Sequence, residues 1–132
     1  MLCFTDGGMK EKEILALEQK HANGKQFPLA FREFLFVAGK RDMSGTICHN
    51  FDYLQQEAIV SLQETGNVID RPFFVFWDQH QCCDFKFFYL DEENEDPQVY
   101  YAMPGFTEEG YPLLEKQHCT FSQLVKTGLS NV

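Results

Sequence analysis

Two segments, Phe73-Phe74-Val75-Phe76-Trp77 and Phe85-Lys86-Phe87-Phe88-Tyr89-Leu90, are built almost wholly of aromatic, aliphatic and β-branched residues. Side chains of this kind pack well on a pleated surface, so the two runs specify well-buried strands. Val99-Tyr100-Tyr101-Ala102-Met103 has the same character and makes a third. The connections between them, seven to eight residues long, are extended for hairpins but short enough to join antiparallel neighbours. An antiparallel sheet in the second half is therefore the feature around which the rest of the chain must be arranged.

The first half has a different period. From Met9 to His21, Ile14, Leu15 and Leu17 are interleaved with Lys and Glu, an amphipathic helix with Glu11 and Glu13 at its start and Lys20 and His21 at its end. Asn23-Gly24 stops it. A second helix opens at Phe27-Pro28, where Phe31, Phe34, Leu35 and Ala38 form an apolar stripe that ends at Gly39. Ser44 to His49 reads as a short strand or as none. Asp52 is the expected cap of a third helix through Phe51, Leu54, Ala58, Ile59 and Leu62 to Gly66-Asn67. Thr120-Phe121-Ser122-Gln123 reads as a capping box opening a last helix through Leu124-Val125 to Gly128. Helix pair, helix, three strands, helix is an α+β order, with the N-terminal helix pair and further helices packed on a mainly antiparallel sheet. With 132 residues, one domain is expected, its core running from about residue 9 to 128.

Charge narrows the partners. The chain has 20 acidic residues against 11 Lys and Arg, for −9. Residues 1–41 carry a net +2 and residues 42–132 a net −11. Such a surface repels phosphate backbones, which argues against nucleic acid, and speeds encounter with a basic protein. No run approaches a membrane span, and the first residues lack the basic flank and apolar stretch of a signal peptide. Five cysteines, an odd number, make a poor disulfide framework and suit a reducing compartment. A cytoplasmic protein with no membrane partner is expected.

Little in the chain points to catalysis. Neither a nucleophile elbow nor a glycine-rich phosphate loop is present, so the protein is not expected to be an enzyme or to need a cofactor. His80, Cys82, Cys83, His118 and Cys119 are residue types that ligate zinc, and Cys48-His49 forms a further small cluster. No CxxC or HExxH spacing accompanies them, and cysteines beside aromatic strands commonly fill a core. Asp78 and Asp84 flank the first connection, and Asp91, Glu92, Glu93, Glu95 and Asp96 crowd the second. Five acids in six positions repel one another, and a docking surface for Lys and Arg competes with plain solubilisation as their explanation.

Taken in order, several of these pieces resemble the SUKH superfamily. The opening helix at Ile14-Leu15-Ala16-Leu17-Glu18 is followed by Phe27-Pro28-Leu29-Ala30-Phe31-Arg32-Glu33-Phe34-Leu35, ending at Gly39. Then come the aromatic strands Phe73 to Asp78 and Phe85 to Asp91, Asp96-Pro97-Gln98-Val99-Tyr100, and a final Thr120-Phe121 helix. The match covers about residues 10–128. This chain departs from the pattern at Gly39-Lys40, where two glycines are usual, and at Gln79-His80-Gln81-Cys82-Cys83, where a glycine is usual.

The resemblance implies binding rather than catalysis, since many bacterial members look like immunity proteins that occlude polymorphic toxins. On that footing the partner is a basic toxin domain. The surface that meets it is Asp78, Asp84, Asp91, Glu92, Glu93, Glu95, Asp96, Glu108 and Glu109, with Tyr100, Tyr101 or Tyr111 as aromatic anchors. A regulatory or scaffolding module without a toxin partner, as the yeast relatives are, is the alternative, and a zinc-containing domain a third.

Overall fold

Past Arg71-Pro72 the chain turns from helical to extended, as the change of period requires, in a computed structural model that describes residues 8–38, 50–79 and 81–130. The helices are α1 (Glu11–His21), α2 (Leu29–Ala38), α3 (Phe51–Glu64) and α4 (Phe121–Ser130). The strands are β1 (Phe73–Gln79), β2 (Asp84–Tyr89), β3 (Gln98–Ala102) and β4 (Leu114–Thr120), with a 3-10 helix at Pro104–Glu109 between the last two. They form one antiparallel sheet in the order β1-β2-β3-β4, so the α+β class is the one the residues specify. The expected cap at Gly39 and the segment Ser44 to His49 lie outside the described residues.

The elements fall into two units. A helical unit holds α1, α2, α4 and residues 93–97, and a sheet unit holds α3, the 3-10 helix and the strands, within residues 50–92 and 98–119. In the helical unit, Ile14, Phe27, Phe31, Leu35 and Phe121 are buried. Phe31 and Phe34 of α2 meet the Phe121 ring of α4 edge-on at 5.3 and 5.5 Å, the arrangement ring quadrupoles favour. The α1–α2 turn is closed by Asn23 and Gly24, both left-handed (φ 54° and 82°). Buried Glu18 then accepts from the Phe27 N–H at 2.7 Å and from Arg32 Nε at 2.7 Å, while Arg32 also reaches Glu11 at 2.8 Å. Pro28 precedes α2 rather than opening it, and its carbonyl accepts from the Phe31 and Arg32 N–H groups.

In the sheet unit, Val75 of β1, Phe85, Phe87 and Tyr89 of β2 and Ala102 of β3 form one buried cluster with Ala58 and Leu62 of α3. Val75 stands opposite Phe87, but Trp77 stands opposite Lys86, so Phe76 is the extra residue of a bulge in β1. Gln55 occupies the α3 face where the apolar stripe would have placed Ile59, which is 47% exposed. Its amide accepts from the Val75 N–H at 2.8 Å and donates to the Val75 carbonyl at 2.7 Å, satisfying both backbone groups of an edge-strand residue. Asn50, not Asp52, caps α3: its Oδ1 accepts from the Tyr53 N–H at 3.1 Å, and Asp52 lies in the first turn. No helix among the described residues is long and apolar enough to cross a membrane.

Candidate functional site

The acidic candidates have quite different fates. Asp91 is exposed but held: Arg71 bonds its two oxygens through Nε at 3.1 Å and a terminal nitrogen at 2.7 Å. The same guanidinium lies 3.7 Å from the centre of the Tyr89 ring and reaches Glu92 at 3.3 Å. Glu92 also accepts from the Tyr100 hydroxyl at 3.2 Å. Arg71 therefore offsets one of the first two charges of the run, and Tyr100 is bonded into that group and half-buried. Glu93 and Glu95 are exposed.

Asp96 is engaged in structure. Its carboxylate accepts from the Ser122 N–H at 2.9 Å, the Ser122 hydroxyl at 2.6 Å and the Thr120 hydroxyl at 2.8 Å, capping α4 from a distant segment. Only half of the expected capping box forms, with Gln123 Oε1 accepting from the Thr120 N–H at 2.9 Å. Partial burial works against the Asp96 charge, but the bonds from Ser122 and Thr120 outweigh it and hold the carboxyl below its ordinary value. Three of its acceptor sites are thus taken up by the start of α4.

Asp84 is buried, at 2% exposed. Its carboxylate accepts a hydrogen bond from the Tyr101 hydroxyl. Burial, then Asp84, push the Tyr101 phenol up to about 12, so it stays a neutral donor at physiological pH. Both residues line an open cavity of about 690 Å³, together with Gln79, Met103, Phe106, Glu109 and Tyr111. Of the nine acids singled out in the sequence, Asp84 and Glu109 are brought together here.

Local geometry explains why this cavity has fixed walls. β1 and β2 run closer to each other than the aromatic runs alone indicate, ending at Gln79 and beginning at Asp84, which pair across the hairpin. Gln81 and Cys82 in the turn are left-handed (φ 55° and 64°), uncommon for residues with a Cβ. The turn is anchored by the buried Cys82, whose thiol faces Asp78 at 3.6 Å, and by the Gly105 N–H, which donates to the Cys83 carbonyl at 2.9 Å. A Cβ at Gly105 would lie 2.8 Å from that of Cys83, so the 3-10 helix seats against the turn only with glycine there. Gly110, left-handed at φ 97°, then turns the chain so that the Tyr111 ring meets Phe106 at 6.2 Å. Tyr111 is 58% exposed, and Tyr101 is half-buried. Glu108 and Glu109 are exposed on the 3-10 helix.

Among the described residues, the zinc-type side chains do not converge. Burial first, then Asp78, push the Cys82 thiol up to about 12, leaving it protonated and a poor metal ligand. Cys83 is half-buried against Gly105, His118 is exposed on β4, and Cys119 is half-buried with its carbonyl accepting from Gln98. His80 lies outside the described residues. Among the described residues no group of three His, Cys, Asp or Glu is placed to hold a metal ion.

Sequence reasoning named Asp84, Glu109, Tyr101 and Tyr111, but not Gln79, Met103 or Phe106. Those three carry no chemical signature, and the 3-10 helix that supplies Phe106 was not foreseen. Compared with known proteins, the chain matches no family model, no curated protein and no solved structure.

Proposed function

We propose that the protein is a non-catalytic binding domain, an immunity protein that neutralises a basic bacterial toxin by occluding it. The observation that carries this reading is the segregation of charge. The sheet unit holds eleven acidic residues against three basic ones, while the helical unit holds nine against eight. Of the three bases, Arg71 is engaged by Asp91 and Glu92, and the Lys86 ammonium sits 4.8 Å from the Trp77 ring centre. Glu64, Asp70, Glu108, Glu109 and Glu115 are exposed on the same unit. A field of one sign on one unit steers a basic partner, and carboxylates stand in for the phosphates such a partner binds. The resemblance of residues 10–128 to the SUKH superfamily supports the same reading.

The test is a tagged pull-down from lysate of the source cell at low and at physiological salt, read by mass spectrometry. Any basic partner is then assayed with and without the protein. One partner, retained more strongly at low salt and inhibited at one-to-one stoichiometry, is expected. Capture of several regulatory proteins whose activity the protein does not inhibit would refute toxin neutralisation and favour the scaffolding alternative.

A further inference from the structure

The cavity of the sheet unit is open and lined in part by aromatic rings. About 690 Å³ is bounded by Asp84, Tyr101, Met103, Phe106, Glu109 and Tyr111, with Gln79 at the hairpin edge. Two carboxylates and no Lys or Arg are among these lining residues. Lys86 stands opposite Tyr101 in the sheet, its ammonium 4.8 Å from the centre of the Trp77 ring and 5.9 Å from that of Tyr101. Three aromatic side chains, one of them 58% exposed, stand beside the two acids.

We infer that this cavity is a receptor for an arginine side chain of the protein partner, the guanidinium stacking on the exposed Tyr111 ring beside the edge-on Phe106 while Glu109, backed by the buried Asp84, supplies the counter-charge. A guanidinium is planar, weakly hydrated and stacks on aromatic faces, whereas an ammonium is a compact, strongly hydrated point charge with no face to stack. The walls are preorganised. The left-handed hairpin turn is tied to the 3-10 helix through the Gly105–Cys83 bond, and the Tyr101–Asp84 bond fixes the buried acid. Little ordering then remains to be done on binding. The inference rests on the reading of the protein as a binder of a basic protein, and adds which side chain is recognised and where.

The experiment uses the whole chain and a small probe, Nα-acetyl-arginine amide, titrated while amide and aromatic NMR resonances are followed. Shifts confined to Tyr101, Phe106, Glu109, Gly110 and Tyr111, saturating with a dissociation constant on the order of millimolar, are expected. Glu109→Gln and Tyr111→Ala, both at exposed positions, should each weaken the probe about threefold or more while leaving the remaining spectrum unchanged. The isosteric neutral citrulline analogue should give no localised shift. An equal response to citrulline, equal affinity for the lysine analogue, shifts scattered over the acidic surface, or no saturable shift would each overturn the proposal. Because the probe requires no toxin, its failure alongside intact toxin inhibition removes the arginine pocket alone. Loss of inhibition with the probe still bound removes the immunity reading alone.

Discussion

Asp96 illustrates how one carboxylate in an acidic run can serve folding instead of recognition. Three donors from Thr120 and Ser122 converge on it, at the start of a helix whose first N–H groups would otherwise lack partners. Replacing it by alanine should cost about 1–2 kcal/mol at pH 7, read by urea denaturation. Since the folded carboxyl lies below its ordinary value of about 3.8, its charge contributes in full above about pH 5. That contribution is lost as pH falls through the folded value, so the gap between wild type and Asp96→Ala should narrow below pH ~4. A gap that is constant from pH 7 down to pH ~2.5 would refute this role. Glu18 is the second such residue, 2% exposed and hydrogen-bonded by Arg32 and the Phe27 N–H. Arg32→Met leaves a buried carboxylate without its counter-charge and should cost about 3 kcal/mol, measured by the same denaturation. Neither role is visible in sequence, because a Glu at that position of an amphipathic helix and an Asp in a charged loop both read as solvated.

At the scale of elements, the strands β1 to β3 and all four helices were legible, because ring-rich runs, helical stripes and the glycines after α1 and α3 each leave a strong local mark. β4 was not. Leu114-Glu115-Lys116-Gln117-His118-Cys119-Thr120 has neither β-branched density nor clean alternation, and its burial is irregular along its length. It is placed by long-range pairing, including the Gln98 amide, which donates to the carbonyls of Gln117 and Cys119. The α3–β1 contact escaped for a related reason: a glutamine in a helical stripe counts as polar until a strand is brought against it. Gln55→Leu would strand the N–H and C=O of Val75 in a buried site and should destabilise by about 2–3 kcal/mol. A loss below about 0.5 kcal/mol in thermal or urea unfolding would show that water replaces the amide.

For the molecule as a whole, charge was readable from sequence but its distribution over the surface was not. Asp84 and Asp96 are taken up by internal hydrogen bonds, and Asp91 and Glu92 share the single positive charge of Arg71. The exposed glutamates of the 3-10 helix, Glu108 and Glu109, are therefore left to carry more of the field than their two positions in the chain suggest. Reversing both to lysine should slow association with a basic partner several-fold at low salt, with little effect at high salt. The melting temperature should stay within about 2 °C. Stopped-flow association across a salt series checks this, and rates that match wild type throughout would place the steering charge elsewhere. The cavity was half legible: its acids and tyrosines stood out by type, but their meeting depends on the hairpin turn and Gly110, which spacing alone does not reveal.

The Gln55 amide on Val75 also bears on self-association. A crowded sheet protein with an open border tends to recruit strands from its own copies into fibrils. Val75 lies within a seven-residue strand, and the bulge at Phe76 follows immediately. What remains free along the β1 edge is two residues on one side and four on the other. Stretches that short are poor templates for polymerisation, so the bond that seats a helix also blunts this edge of the sheet.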